Sequence, residues 1–223
     1  MNLHLLCSNI GRAFRKIVLP GVILQAIAAG LAVAYYCRPE VRPAFALIAG
    51  LKAHYGILFA IVSTAVSGGL IPYCYLRATG LIRRNHRKQF WFYLLFWAVK
   101  GAEVDLFYRL QGHIFGTGND WQTVVVKTTV DQLLYAPLWM VPTICLAYLW
   151  KDSGFSYTKW LSGIDTTFLQ LTLPTVVISN WLVWVPAVTM IYLMPADLQV
   201  PFYNLVQCFF VLLLTILSRE TSN

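Results

Sequence analysis

The chain has 223 residues and a formal net charge of +8, with 58% hydrophobic and only 12% charged side chains. An average soluble domain carries about 25% charged residues, and mean hydropathy here is +0.63, which excludes a water-soluble globular domain. One crossing of the hydrocarbon core takes about 20 apolar residues. Five or six crossings with short loops therefore use up residues 1–223 as one integral membrane domain.

At the start of the chain, Leu3, Leu6, Ile10, Phe14 and Ile17 recur at helical spacing with Arg12, Arg15 and Lys16 among them. This pattern predicts an amphipathic helix on the membrane surface that runs into the first span, 17–37. Ala32-Val33-Ala34 resembles a cleavage site, but the apolar stretch continues past it and an uncleaved span is expected. The acid-free, Arg-containing start also suits a mitochondrial import signal. Pro39 and Pro43 break the chain before the second span, 56–76, where Ala60, Thr64 and Gly68 form a row of small residues that lets another helix approach.

Arg77, Arg83, Arg84, Arg87 and Lys88 follow. Short loops rich in Lys and Arg stay on the side of synthesis, so 77–88 is placed inside with both termini, Lys151 and Lys159. Arg38, Arg42 and Lys52 are placed outside. Basic residues facing anionic headgroups explain the charge without nucleic acid. The next segment, 89–115, is apolar for ten residues and then carries Lys100/Glu103 and Asp105/Arg109 at helical pair spacing. It either crosses the bilayer or lies along the interface.

Residues 121–150 form the next span and contain Lys127, Asp131 and Gln132. A charged group at the centre of a membrane helix costs at least ~2.5–3.5 kcal/mol, so it persists with partners or in a watery cavity. Four residues is just over one turn, which places Lys127 and Asp131 on one face, able to neutralise each other. Pro137 and Pro142 are expected to kink this helix. The spans 168–194 and 200–218 add two polar stripes, Asn180, Trp184 and Tyr192 on one, and Asn204, Gln207, Thr215 and Ser218 on the other, with Pro174 and Pro186 interrupting the first. Each stripe by itself is helix-to-helix glue at about 1 kcal/mol per bond. Three of them with a charged pair point to a polar interior.

The five cysteines and four histidines are scattered without ligand spacing, so no metal site or cofactor is expected. With no nucleophile–base constellation, an enzyme ranks last among the readings.

The C-terminal half resembles the family of the 22-kDa peroxisomal membrane protein and the mitochondrial inner-membrane Mpv protein. The matching residues are Lys127-x3-Asp131-Gln132-x4-Pro137, then Asn180-Trp181-x2-Trp184-x-Pro186-Ala187, Tyr192-x2-Pro195, Asn204-x2-Gln207 and Leu217-Ser218. The chain departs from the pattern by a helix-length insertion between Tyr75 and Lys127, and by leucines where a tryptophan usually precedes the final Leu-Ser. A full extra span inverts the C-terminal half relative to the family's topology. The resemblance implies a small, channel-like integral protein of a mitochondrial or peroxisomal membrane, linked to metabolite homeostasis; the insertion suggests a bacterial relative and hence an inner membrane. Asp131, Gln132, Pro137, Asn180, Trp184, Pro186 and Asn204 carry over as motif positions only.

The resulting expectation is an all-α transmembrane bundle that passes small polar solutes along Lys127, Asp131, Gln132, Asn180, Trp184, Asn204 and Gln207, with Pro137 and Pro186 opening space between helices. Lipid and small polar solutes are the expected partners, with a homo-oligomer compatible with both. The alternative is a non-transporting scaffold in which the same polar residues are glue.

Overall fold

The computed structural model describes residues 3–220, with side chains from Ser8 onward except at 9, 13, 16, 17 and 213–220. Among these residues the secondary structure is helical throughout: α1 (Leu3–Cys37), α2 (Arg42–Tyr55), α3 (Ile57–Ala78), α4 (His86–Phe115), α5 (Trp121–Asp152), α6 (Tyr157–Ser162), α7 (Phe168–Leu193) and α8 (Ala196–Glu220). Four helical stretches, Val18–Cys37, α3, α5 and α7, are long and apolar enough to cross a membrane. Their limits fall within about two residues of the spans read from the sequence. The N-terminal segment expected to be amphipathic is helical and continuous with the first span, and the side chains of Leu3, Leu6 and Ile17 lie outside the described residues, as do those of Thr215 and Ser218.

One helix was not anticipated. Residues 42–55, between the break at Pro39/Pro43 and the second span, form α2, which starts with Pro43 in its first turn and ends at Gly56. Gly56 has φ of +55°, a conformation that costs a residue with a Cβ but not glycine. The sharp break lets α2 pack on α8 while α3 departs along α4.

Prolines shape the long helices through the turns that precede them. Among the described residues three π-helical stretches occur, Ala65–Leu70, Asp131–Met140 and Phe168–Thr172. Each is followed two residues later by a proline: Pro72, Pro142 and Pro174. A proline has no N–H, and its ring collides with the carbonyl four residues back. Widening the turn relieves that collision. Pro137 lies inside the longest stretch. In contrast, α7 continues as α-helix through Pro186, so of Pro137 and Pro186, expected together to open space between helices, only Pro137 sits in widened backbone.

Helices α3 and α4 run antiparallel in close contact. Arg109 lies over Gly56 at one end, and Tyr73 meets Phe90 at the other, with ring centroids 5.3 Å apart. This covers roughly 25 Å of helix at 1.5 Å per residue. Between those ends, the row Ala60–Thr64–Gly68 receives Gly101 and Trp97: a Cβ on Gly101 falls 2.4 Å from the Ala60 carbonyl oxygen. The polarity of α4 is the reverse of a water-soluble amphipathic helix. Lys100, Asp105 and Gln111 are buried, while Leu95, Val99, Leu106, Leu110 and Ile114 are each more than half exposed.

Helix α1 packs on α7 and α8. A fully buried apolar core of Leu24, Ala28, Val124, Ala187, Ile191 and Val206 lies where α1, α5, α7 and α8 meet. A second cluster, Ile82, Phe92, Tyr93 and Trp97, closes the bundle near the basic 77–88 loop.

Candidate functional site

Five charged residues are buried among the described ones: Lys52, Lys100, Asp105, Lys127 and Asp131. Three of them are neutralised by neighbours. Lys52 Nζ meets Asp105 Oδ1 at 2.7 Å, and Arg109 Nη2 stands 2.8 Å from Oδ2, outside hydrogen-bonding angles. Lys100 donates to Glu103 at 3.0 Å and to Thr143 Oγ1 at 2.6 Å, joining α4 to α5. Tyr135 adds a 2.6 Å hydrogen bond to the same Glu103. Lys52, placed by loop counting on the outer side, is a buried ion-pair partner there, a pairing the count does not address. An acidic residue inside a helix as apolar as α4 was the available signal that a cation had to reach it.

Lys127 and Asp131 behave differently. They share a helix face, but no ion pair forms between them, and the expected mutual neutralisation is absent. Tyr192 stands between the two. Its hydroxyl donates to Asp131 Oδ2 at 2.7 Å and accepts from Gln111 Nε2 at 2.5 Å, while the Lys127 ammonium sits 5.7 Å from the ring centroid. Such a position over a ring face is a cation–π contact. Gln132 Nε2 donates 2.9 Å to Asp131 Oδ1. The physical reason is direction: the π-helical turn begins at Asp131, and its carboxylate turns toward α7 rather than back along α5 to Lys127.

The Gln132 carbonyl explains a further motif residue. In a π-helical ladder the amide five residues on donates to it, and that residue is Pro137, which has no N–H. Trp181 Nε1 supplies the missing donor at 2.6 Å. An orphaned carbonyl in a proline-containing span was the sequence signal for Trp181.

Two cavities meet at this layer. The first, of about 440 Å³, is lined by Asp131, Gln132, Asn180, Trp184 and Gln207 together with many aromatic rings, and extends toward Leu76 and Tyr148. The second, of about 710 Å³, is lined by Lys52, Asp105, Arg109, His113, Lys127 and Asp197. Tyr108 lines both. Its ring is 5.2 Å from that of Tyr192, which bonds to Asp131 and Gln111, so these four side chains lie between the residues that line the two spaces. Along α4, the first cavity reaches back to Tyr93 and the second forward to His113; they occupy opposite ends of the bundle.

The seven polar positions expected to line a conduit thus separate into three places. Asp131, Gln132, Asn180, Trp184 and Gln207 face the first cavity, and Lys127 faces the second. Asn204 faces neither: Thr64 Oγ1 donates to its Oδ1, and its Nδ2 donates to Ser63 Oγ, each at 2.7 Å, tying α8 to α3. Tyr108, Gln111 and Tyr192 complete the layer. The first two were hidden in a segment read for its charges alone.

Comparison with protein-family models, with curated proteins and with solved structures gave no match.

Proposed function

We propose that the protein is a carrier or channel for small polar solutes in an inner or organelle membrane, in a state closed at the Tyr108–Tyr192–Asp131 layer. The observation that carries this reading is the pair of cavities at opposite ends of the bundle, separated by one thin polar layer. Buried charge in lipid is retained where it faces partners or a watery cavity. Lys127 and Asp131, neither of them in an ion pair, each face one.

The reading takes six crossings, α1, α3, α4, α5, α7 and α8. Support for α4 comes from its packing along α3 and from its inward charges and outward leucines, the polarity that suits lipid. Six crossings put the 77–88 loop and both ends of the chain on one side, and the second cavity opens away from that loop. Membership of the Mpv and 22-kDa peroxisomal protein family remains a proposal resting on the motif residues. The reading assigns the protein no catalytic role.

Asn204 favours a second reading. Its bonds to Ser63 and Thr64 are glue, as a non-transporting scaffold requires. Purified protein in liposomes separates the two. Transport predicts solute flux above that of empty liposomes and a changed rate in Asp131→Asn. A scaffold predicts flux at the empty-liposome level throughout, with Asp131→Asn lowering thermal stability alone.

A further inference from the structure

The first cavity is chemically one-sided. Its described lining includes a single carboxylate, Asp131, and no Lys, Arg or His. Rings of Trp97, Tyr108, Trp184 and Tyr203 line it, as does Tyr148, whose ring already carries the Lys151 ammonium 5.3 Å from its centroid. Aromatic faces carry negative quadrupolar potential, so they and the carboxylate act in the same sense and favour a cation.

The hydrogen-bonding capacity left over is equally specific. Gln207 is 2% exposed, and neither its Oε1 nor its Nε2 has a partner. Its amide rests in the notch left by Gly68, where a Cβ would come within 2.2 Å of Nε2. Gln132 Oε1 is also buried without a partner. Buried polar atoms left unpaired are costly and demand an explanation. Asp131 takes one hydrogen bond on each oxygen, although a carboxylate accepts about four. The cavity therefore offers the amide oxygens of Gln132, Gln207 and Asn180 and spare carboxylate capacity as acceptors, with the amides of Gln207 and Asn180 and the hydroxyls of Tyr93, Tyr108 and Tyr203 as donors, and the one formal charge in its described lining is negative.

We propose that this cavity binds a primary or secondary organic ammonium ion with an aromatic or branched apolar body, the N–H groups directed to Asp131, Gln132 and Gln207 and the body lying among the rings. This rests on the transport reading and names its substrate class. At about 440 Å³, the space falls within the range of small-ligand sites. A quaternary ammonium satisfies the rings but leaves the acceptors unpaired. A carboxylate anion opposes both. The second cavity, with Lys52, Arg109 and Lys127 beside Asp105 and Asp197, carries no such bias and serves as the polar approach on the other side of the layer.

Calorimetric titration of detergent-solubilised full-length protein tests this without requiring transport. The probes are 2-phenylethylamine, its trimethylammonium analogue, 2-phenylethanol and phenylacetate. A hydrogen bond to a charged group changes affinity on the order of 10-fold to 100-fold. The amine is expected to bind at least about tenfold tighter than the alcohol and the quaternary analogue, with phenylacetate weakest. Asp131→Asn should bring amine and alcohol to equal affinity. Gln207→Leu, which keeps the carboxylate, should weaken the amine alone. Equal binding of amine and alcohol to the wild type, tightest binding of phenylacetate, or an unchanged ratio in Asp131→Asn overturns the assignment. So does the absence of saturable binding by any probe. Liposome flux of other solutes would then still stand as evidence for transport, and an amine that binds without liposome flux would sink transport alone. Should Asp131→Asn not fold, Gln207→Leu decides.

Discussion

Gly101→Ala measures how tightly α4 is held against α3. The added Cβ would stand 2.4 Å from the Ala60 carbonyl oxygen, 2.7 Å from Thr64 Cβ and 2.8 Å from Thr64 Oγ1. Non-bonded carbon contacts are optimal at roughly 3.5–4.0 Å, so the helices must part by about 1 Å. The obstructing atoms are a backbone carbonyl and a β-branched side chain bonded to Asn204, and neither has room to turn away. Overpacking of this kind costs about 1–3 kcal/mol, and a fixed backbone obstacle places it near the top. Alanine's better helix propensity returns about 1 kcal/mol, leaving a net loss of about 2. At Gly30 an added Cβ would meet nothing within 4 Å, so Gly30→Ala is the control and should be neutral or slightly stabilising. Unfolding of the purified variants in mixed micelles by SDS titration, followed by circular dichroism, reads both. If Gly101→Ala matches wild type within about 0.5 kcal/mol, the close α3–α4 contact described here is wrong.

Further outcomes follow from single contacts. Trp181→Phe orphans the Gln132 carbonyl and should lower stability by about 1–3 kcal/mol; adding Pro137→Ala restores an N–H and should recover part of that loss in the same SDS titration. Lys52→Met leaves buried Asp105 with Arg109 as its remaining cation and should cost about 1–3 kcal/mol, whereas Lys52→Met with Asp105→Asn should cost clearly less; equal losses would show the pair to be uncoupled. At the start of α5, Asp120 accepts from the Thr123 amide at 3.0 Å and its hydroxyl at 2.7 Å. These bonds hold its carboxyl below the ordinary value of 3.8. A lowered folded pKa stabilises above the unfolded value and is lost as pH falls through the folded one, so protection of the Thr123 amide from hydrogen exchange should persist at pH 5 and fade below 3.8.

Hydropathy alone located the apolar helices, because a span is a long run and small boundary errors leave it intact. Polar contacts were less legible. Lys127 and Asp131 were visible as buried charges, but their partners were not, since the π-helical turn that redirects Asp131 to Tyr192 depends on how prolines at 137 and 142 widen the backbone. Helix α4 was ambiguous for a related reason: its composition is that of an interface, and only its orientation against α3 turns Lys100 and Asp105 inward. The partner of Lys52 was not legible because counting charges in loops does not see a pairing across fifty residues. Tyr108 reads in sequence as one more aromatic among twelve tyrosines; its place between two cavities exists only once four helices are assembled.

The transport reading requires two solvent-reachable spaces that meet at a closed layer inside the membrane. Cysteine accessibility in sealed vesicles tests it most directly, using a cysteine-free background and a membrane-impermeant thiol reagent. Ile144→Cys lines the first cavity and Gly112→Cys the second. The expected result is reaction of each from one side only, on opposite sides, with Tyr192→Ala allowing both to react from either side. Protection of both positions from both sides, or reaction of both from the same side, would contradict it.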